Sequence, residues 1–291
     1  MSMRILIIGA GYSGLAIARE LSGRAESIAG TTRSRDKFER LRSAGIEPAV
    51  FSREEIDALV HERLADATHL VVAAGPDAAG DAALDLLGPD IEAAKHLSWI
   101  GYLSTVGVYG DHKGAWVDET TECRPRPGRS DDRLEVENRW RELAARRNVP
   151  LAILRLSGIY GPGRNAFLNL ERGTARRIVK AGQVFNRIHL DDIAGATAFL
   201  AGKRLGGVYN VTDEEPSPPQ DVVTYAAGLM GVEPPPETAF EAADMSPMAL
   251  SFWGEIKRVS NRKLRDAGYV VRQPNYRAAL DDMWSRGRWR G

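Results

Sequence analysis

The amino-terminal segment limits the fold of this chain more than any other feature. Residues 5–8 form a continuous apolar run, which is typical of a strand buried on both faces of a parallel sheet. Apolar residues then recur at roughly helical spacing over residues 15–21. Between the two segments lies Gly9-Ala-Gly11-Tyr-Ser-Gly14, a G-x-G-x-x-G motif. The chain is therefore predicted to begin as a strand, a glycine-rich turn and a helix.

Strand and helix patterns continue to alternate as far as residue 156. Further strands are predicted near residues 27–32, 46–51, 69–74, 98–104 and 151–156, with helical patterns between them. One of these helices is predicted to begin at Ser52, with Glu55 three residues later as in a capping box. Alternation of this kind predicts an α/β fold with a Rossmann-type doubly wound parallel sheet. Ligands of such sheets bind at the carboxyl ends of the strands.

The regular alternation weakens after residue 156. Gly161-Pro-Gly163, a basic helix near residues 170–180 and Pro234-Pro-Pro236 are the main features predicted there. We therefore expect a dinucleotide-binding domain of residues 1–157, which also receives residues 184–204, and a smaller C-terminal substrate lobe of residues 158–291. The terminal Arg286-Gly-Arg-Trp-Arg290 is expected to be a frayed, solvated tail.

Composition excludes several classes of partner. The 291 residues contain 39 Lys and Arg against 39 Asp and Glu, so no net field draws the chain to nucleic acid or to an anionic membrane. No apolar window is long enough for a membrane span, and the N-terminus lacks a signal-peptide pattern. Cys123 is the only cysteine, which excludes an internal disulfide and a cysteine-rich zinc site. We expect a cytoplasmic protein that acts on a small molecule without a metal.

The position of the glycine motif predicts a dinucleotide site. Gly9 would allow a tight turn, Gly11 would let the backbone approach a pyrophosphate at the helix N-terminus, and Gly14 would let helix and sheet pack closely. Tyr12 and Ser13 complete this predicted cofactor-binding segment.

The end of the second strand favours NADP over NAD, although NAD is not excluded. An NAD site would place Asp or Glu about twenty residues beyond the motif, to bind the ribose hydroxyls. Here Thr32, Arg33 and Arg35 stand instead, and a guanidinium can pair with a 2′-phosphate. The alternative is that both arginines only decorate a solvated helix turn. Gly75, in Gly75-Pro76, either lies beside the cofactor or simply ends the fourth strand.

Three further motifs resemble a known family. They are Tyr102-Leu-Ser-Thr-Val-Gly-Val-Tyr-Gly110, Ile153-Leu-Arg-Leu-Ser-Gly-Ile-Tyr-Gly-Pro-Gly-Arg164 and Arg187-Ile-His-Leu-Asp-Asp-Ile-Ala194. With the glycine motif, they make nearly the whole chain similar to the extended and atypical short-chain dehydrogenase/reductases of the NAD(P)-dependent epimerase/dehydratase superfamily. The YeeZ-like atypical subgroup is the nearest that we can name.

The resemblance implies a set of catalytic positions, which this chain fills only in part. Family enzymes use a Ser or Thr hydroxyl, then a Tyr and a Lys four residues apart on the next helix. Thr105 matches the hydroxyl, with Ser104 as the second choice. Arg129 falls on the tyrosine and Arg133 on the lysine, so Tyr-x-x-x-Lys is absent. Arg133 could still supply positive charge, but arginine cannot transfer a proton at neutral pH.

A substitute acid would then be needed. The candidates are Tyr109, Tyr160, Asp111 and His112, and spacing alone does not choose among them. In the predicted substrate lobe, Arg164 and Arg187 are candidates for binding a phosphate or carboxylate substrate.

Two remaining expectations concern structure and assembly. The His189-Leu-Asp-Asp192 segment is expected to close a strand and cap a helix rather than bind a metal. Similar proteins often form dimers, so a homodimer is an expectation that the resemblance alone supports.

These observations favour an NADP-binding oxidoreductase or epimerase/dehydratase-like protein whose substrate the sequence does not identify. A noncatalytic NADP-binding regulator or redox sensor is the alternative that the absent Tyr and Lys leave open. A partner-binding scaffold without a cofactor is the third.

Overall fold

The protein is described here by a computed structural model covering residues 2–126 and 128–291, apart from the side chains of Arg129 and Met248. The chain divides into two compact units. The first unit consists of residues 1–108, 126–155 and 193–209, and the second consists of residues 109–125, 156–192 and 210–291.

Strands and helices follow one another in the order that the sequence predicts for the first half of the chain. Their bounds are β1 (Met3–Ile8), α1 (Tyr12–Leu21), β2 (Ala25–Thr32), α2 (Phe38–Arg42), β3 (Glu47–Val50), α3 (Ala58–Asp66), β4 (His69–Val72), α4 (Ala82–Ala93), β5 (Trp99–Thr105), β6 (Trp116–Val117), α5 (Arg129–Arg147) and β7 (Leu151–Leu156).

The elements of the second half are shorter and less regular. Their bounds are β8 (Gly158–Tyr160), α6 (Ala166–Glu171), β9 (Arg177–Val179), β10 (Arg187–His189), α7 (Leu190–Lys203), β11 (Gly207–Val211), α8 (Pro219–Met230), β12 (Glu237–Ala239), α9 (Pro247–Trp253), β13 (Arg258–Val259), α10 (Arg262–Asp266) and α11 (Tyr276–Ser285).

The central sheet of the first unit has seven strands in the order β3-β2-β1-β4-β5-β7-β11. Strand β1 pairs in parallel with both β2 and β4, and the pairs β2–β3 and β4–β5 are parallel as well. The order reverses at β1, so the loops after β1 and β4 lie at a topological switch point, where doubly wound sheets bind ligands. The predicted α/β Rossmann-type fold is confirmed.

Burial explains why the first apolar run determines the fold. Residues 5–8 in β1 are at most 3% exposed, as expected of a strand covered on both faces. In α1, Leu15, Ile17, Ala18 and Leu21 are buried, and their spacing places them on one side of the helix. Burying these two apolar surfaces against each other fixes the turn between them, which contains the three glycines.

The second unit is built from two-stranded ribbons and helices. Strand β8 pairs in parallel with β10, β9 with β12, and β6 with β13. Its apolar cluster includes Phe167, Tyr276 and Trp289. Trp289 is 4% exposed and its carbonyl accepts a 2.7 Å hydrogen bond from Asn165 Nδ2. The expectation of a frayed C-terminal tail is therefore wrong, because this indole is part of a core.

Two predicted helices are also wrong. The Ser52 hydroxyl accepts from the backbone N–H groups of Glu54 and Glu55 in a turn, and α3 begins only at Ala58. The basic helix predicted over residues 170–180 does not form, because α6 ends at Glu171 and residues 177–179 form β9 against β12.

The two compact units differ from the predicted domain division in several segments: residues 156–157 and 184–192 belong to the second unit, and residues 205–209 belong to the first. Residues 109–125 also belong to the second unit, in which β6 pairs with β13. The division at residue 157 stays a prediction about domains. Within the described residues, no helix is both long and apolar enough to cross a membrane.

Candidate functional site

The glycine motif forms the turn from β1 into α1, and two of its glycines are required by close packing. Gly9 has φ +88°, in the region that side chains disfavour, and a Cβ there would lie 2.7 Å from Ala74 N. A Cβ on Gly14 would lie 2.6 Å from Gly9 O. Gly11 differs, because an added Cβ would meet no atom within 4 Å. The turn is therefore packed on its inner side and open at Gly11.

The N-terminus of α1 is suited to an anion. Gly11 is the N-cap and supplies no side-chain hydrogen bond, and the first turn contains no acidic residue. The first N–H groups of a helix have no intrahelical acceptor and carry partial positive charge. Tyr12 and Ser13, the first helical residues, are half-buried beside this end. A pyrophosphate would meet backbone donors here without repulsion from a carboxylate.

The end of β2 is tied to the glycine turn. The Thr31 hydroxyl accepts a 2.9 Å hydrogen bond from Gly9 N, and its carbonyl accepts a 2.8 Å bond from Ala10 N. Thr32 is the last residue of β2 and is 9% exposed. Arg33 follows it at once, is exposed, and makes no hydrogen bond or ion pair to the part of the chain that is described. Arg33 is thus available to a ligand next to the turn.

Arg35 is engaged elsewhere in the first unit. Its Nη2 lies 2.5 Å from a Glu55 carboxylate oxygen and 2.6 Å from Asp57 Oδ1. The hydrogen bonds with Asp57 and Glu55 raise the pKa of Arg35. Asp57 also accepts from Val50 N at 2.7 Å, and this bond, with that from Arg35, lowers the pKa of Asp57. A 2′-phosphate would have to compete with two carboxylates for Arg35, but not for Arg33.

Gly75 lies beside the turn and against Arg133. It follows Ala74, the residue that a side chain at position 9 would strike. A Cβ on Gly75 would lie 2.5 Å from Arg133 Nη2, so the absence of a side chain makes room for the guanidinium. Arg133 Nη1 donates to Leu103 O at 3.0 Å and to the Tyr102 hydroxyl at 3.2 Å. This places the positive charge of Arg133 at the loop after β4.

The two hydroxyls at the end of β5 have different surroundings. Thr105 is half-buried, and its hydroxyl oxygen accepts a 3.1 Å bond from Gly107 N, which leaves its proton for another acceptor. Ser104 is 5% exposed and donates at 2.6 Å to Glu137, a carboxylate that also accepts two bonds from Arg155. This geometry favours Thr105 over Ser104 as a group that contacts substrate.

Arg129, at the position of the family tyrosine, is the first residue of α5, but its side chain lies outside the described residues. In the second unit, the Tyr109 side chain is fully buried and its hydroxyl donates to Asn210 Oδ1 at 2.8 Å. Asp111 accepts from Ile256 N at 2.8 Å, and His112 Nε2 lies 3.0 Å from Tyr109 O. Each of these three candidate acids has a hydrogen-bond partner within the second unit, which favours a structural role for it.

The predicted substrate arginines also lie in the second unit. Arg164 is exposed, whereas Arg187 donates from Nη1 to Phe185 O and to Ser217. Burial lowers the pKa of Arg187, and Asp213 opposes that effect. Sequence reasoning missed Asp213, which lies two residues beyond the end of β11. A polar residue after a strand was the only signal that could have revealed it.

The His189-Leu-Asp-Asp192 segment joins β10 to α7. Asp192 is fully buried and accepts from the Tyr269 hydroxyl and from the backbone N–H groups of Arg272 and Gln273. Its carboxylate thus caps a loop rather than the helix expected. Among the described side chains, no group of three or more His, Cys, Asp or Glu could hold a metal ion.

Comparison with known proteins adds three similarities and one domain match. Residues 5–87 match the TrkA-N domain. The chain is 30% identical to Protein YeeZ of Escherichia coli K12 over 249 residues, which cover 80% of this chain and 85% of that protein. It is 44% identical to a functionally unknown conserved protein from Silicibacter pomeroyi DSS, with a TM-score of 0.90 over 98% of this chain and 99% of that one.

Human epimerase family protein SDR39U1, whose structure was solved with NADPH, is 16% identical with a TM-score of 0.73. The similarity covers 97% of this chain and 99% of that chain. At this identity, the likeness concerns the fold alone.

Proposed function

The chain belongs to the family of Protein YeeZ, within the NAD(P)-binding epimerase/dehydratase-like proteins of the atypical short-chain dehydrogenase/reductase type, and from this premise we propose that it binds NADP and acts as an oxidoreductase or epimerase/dehydratase-like enzyme on a small molecule. The observation that carries the proposal is a glycine turn that is open at Gly11, together with Arg33 directly after β2, which has no partner among the described residues. The solved human relative with NADPH is in accord with this choice of cofactor.

The residues present fit a dinucleotide. Backbone donors at the N-terminus of α1 would hold the pyrophosphate, and Gly11 would leave room for it. Arg33 would pair with the 2′-phosphate, since its guanidinium has no carboxylate partner in the described residues. Arg35 would assist only after leaving Asp57 and Glu55. Thr32 and Gly75 would contribute backbone groups on either side of the bound dinucleotide.

A bound nicotinamide supplies hydride exchange at its C4 atom. The residues of the chain supply orientation and charge. Thr105 would donate its hydroxyl proton to a substrate oxygen, because its own oxygen already accepts from Gly107 N. Arg133, held by Leu103 O and Tyr102, would provide a fixed positive charge in place of the family lysine. Arg133 would not replace the tyrosine as a proton donor, because a guanidinium does not act as an acid at neutral pH.

Calorimetric titration of the purified protein with NADPH and NADH tests the cofactor assignment. We expect NADPH to bind in the micromolar range and at least about tenfold more tightly than NADH. Arg33→Ala should remove most of this preference. Arg40→Ala, which removes an exposed arginine of α2, is the matched control and should leave both affinities unchanged. Equal affinities of the wild-type protein for the two nucleotides would contradict the role of Arg33.

Oxidation of NADPH by a panel of aldehydes and ketones, followed at the nicotinamide absorbance, tests for catalysis. Thr105→Ala should lower the turnover of any active carbonyl compound by about 10²-fold or more, whereas its NADPH affinity should stay unchanged. If the protein binds NADPH tightly and no carbonyl compound oxidises it, a noncatalytic NADP-binding regulator becomes the better explanation.

A further inference from the structure

The ribbon of β8 and β10 in the second unit presents a polar face. Gly158 pairs with Arg187 and Tyr160 pairs with His189, and paired residues of a parallel ribbon lie on the same face. The rings of Tyr160 and His189 meet edge to face with centroids 5.3 Å apart. Gly158 is exposed and has no side chain, so this face is open beside Arg187. The open position therefore lies opposite Arg187 in the ribbon, and a Cβ added at Gly158 would meet only Asn186 O, at 3.2 Å.

The guanidinium of Arg187 is fixed in place by uncharged acceptors. Its Nη1 donates to Ser217 Oγ at 2.7 Å, to Phe185 O at 3.0 Å and to Ser217 O at 3.1 Å. All three acceptors bind the same nitrogen, Nη1. Arg187 forms no ion pair within the described residues. The flat edge of a held guanidinium matches the two oxygens of a carboxylate.

Two polar atoms close to Arg187 lack partners. Asp213 is 1% exposed, and its N–H donates to Arg187 O at 2.7 Å, but its Oδ2 has no hydrogen-bond partner in the described structure. The Tyr160 hydroxyl is also buried without a partner there. Electrostatic interactions link these three side chains to one another. Buried polar groups normally find partners, so a missing ligand group is indicated.

The charges at this site select among possible ligands. Burial raises the pKa of Asp213 well above its usual range; Arg187 opposes this shift, whereas Glu215 and Asp192 add to it. The carboxyl is thus favoured in its neutral form, which can donate a hydrogen bond. A single negative charge on the ligand would be balanced by Arg187. A phosphate dianion would bring a second negative charge close to Asp213. Arg187 is the cation whose charge acts on that carboxyl, and it would balance only one of the two charges.

We infer that Arg187, Tyr160 and Asp213 bind the carboxylate of a small organic acid over the open position at Gly158. That this acid is the substrate rests on the proposed function, whereas the binding site itself does not. The planar guanidinium would hold both carboxylate oxygens, and the Tyr160 hydroxyl and the protonated Asp213 would each donate to one of them.

Calorimetric titration of the full-length protein with propionate, propionamide and inorganic phosphate tests this inference. Propionate should bind with a dissociation constant in the millimolar range, and propionamide and phosphate should bind at least about tenfold more weakly. Arg187→Gln should weaken propionate binding by about tenfold or more, and Tyr160→Phe by several-fold. Asp213→Asn, which keeps a donor, should retain propionate affinity within about threefold.

Arg172→Gln, which removes an exposed arginine after α6, is the matched control and should bind propionate as the wild-type protein does. The inference is overturned if propionate fails to bind, if phosphate or propionamide binds equally well, or if a folded Arg187→Gln variant binds propionate unchanged. If Arg187→Gln fails to fold, the propionamide comparison and Tyr160→Phe decide. NADPH affinity should be unchanged in every variant. If the wild-type protein binds propionate as expected but does not bind NADPH, only the proposed function is rejected.

Discussion

Replacing Glu137 by glutamine tests whether the buried ion pair of Glu137 and Arg155 stabilises the protein at the end of β5. Glu137 is fully buried in α5. Its Oε1 accepts from Ser104 Oγ at 2.6 Å and from Arg155 Nε at 3.1 Å. Its Oε2 accepts from Arg155 Nη2 at 2.8 Å and from Arg141 Nη2 at 3.0 Å. The carboxylate is therefore the acceptor at the centre of four hydrogen bonds.

The expected loss of unfolding free energy follows from the burial of Arg155, whose side chain is 4% exposed. Glu137→Gln removes the carboxylate that faces this buried cation, which costs about 3–5 kcal/mol of unfolding free energy. Ser104→Ala removes one hydrogen bond to a charged acceptor and should cost about 1–3 kcal/mol. Glu137→Leu combined with Arg155→Met removes both charges, so it should be less destabilising than Glu137→Gln alone.

Urea denaturation with unchanged slope m measures these differences. Glu135→Gln, an exposed change on the same helix, is the control and should lie within about 0.5 kcal/mol of wild type. The account of this ion pair is refuted if Glu137→Gln is destabilised by less than about 1 kcal/mol. Ser104→Ala should also retain wild-type NADPH affinity, since its hydroxyl proton is already donated to Glu137.

Three further predictions concern the stability of each unit. Gly14→Ala would place a Cβ 2.6 Å from Gly9 O, so it should destabilise the protein by about 1–3 kcal/mol in urea, and wild-type stability would contradict this packing. Burial lowers the pKa of His69 to about 4, so the unfolded state gains a proton first as the pH falls. Stability is therefore lost between about pH 6.5 and pH 4, by about 2 kcal/mol at pH 5, and His69→Asn should abolish that part of the slope. Trp289→Ala should cost about 3–5 kcal/mol through its contact with Phe167, whereas an unchanged melting temperature would mean that the tail is frayed after all.

The parts of the fold that local patterns encode were predictable from the sequence. The apolar run over residues 5–8, the helical spacing after Gly14 and the glycines between them place a strand, a turn and a helix without reference to the rest of the chain. The position of Arg33 directly after β2 was predictable for the same reason, whereas its pairing with a 2′-phosphate stays a prediction.

The incorrect predictions depended on partners distant in sequence. Ser52 looked like a helix cap, but it caps a turn, and nearby Glu55 binds Arg35 from twenty positions earlier. Residues 177–179 form a strand only because residues 237–239 pair with them. Trp289 is buried because a core containing Phe167 receives it. Local spacing carries no information about such contacts.

The candidate site shows the same contrast. Thr105 and Ser104 are adjacent and chemically similar, and the sequence ranked them only by resemblance. Their difference comes from Glu137 and Arg155, which lie on α5 and β7. Likewise, Asp213 meets Arg187 through a backbone hydrogen bond between segments that have no pattern in common.

The central claim is that the open turn at Gly11 holds the pyrophosphate of NADP. Titration of Gly11→Ala and the wild-type protein with NADPH tests it most directly, because the added Cβ meets no protein atom within 4 Å. The variant should therefore fold with a loss of no more than about 1 kcal/mol. The account predicts micromolar NADPH binding by the wild-type protein and at least about tenfold weaker binding by Gly11→Ala. Unchanged affinity in the variant, or no binding by the wild-type protein at hundreds of micromolar NADPH, would contradict it.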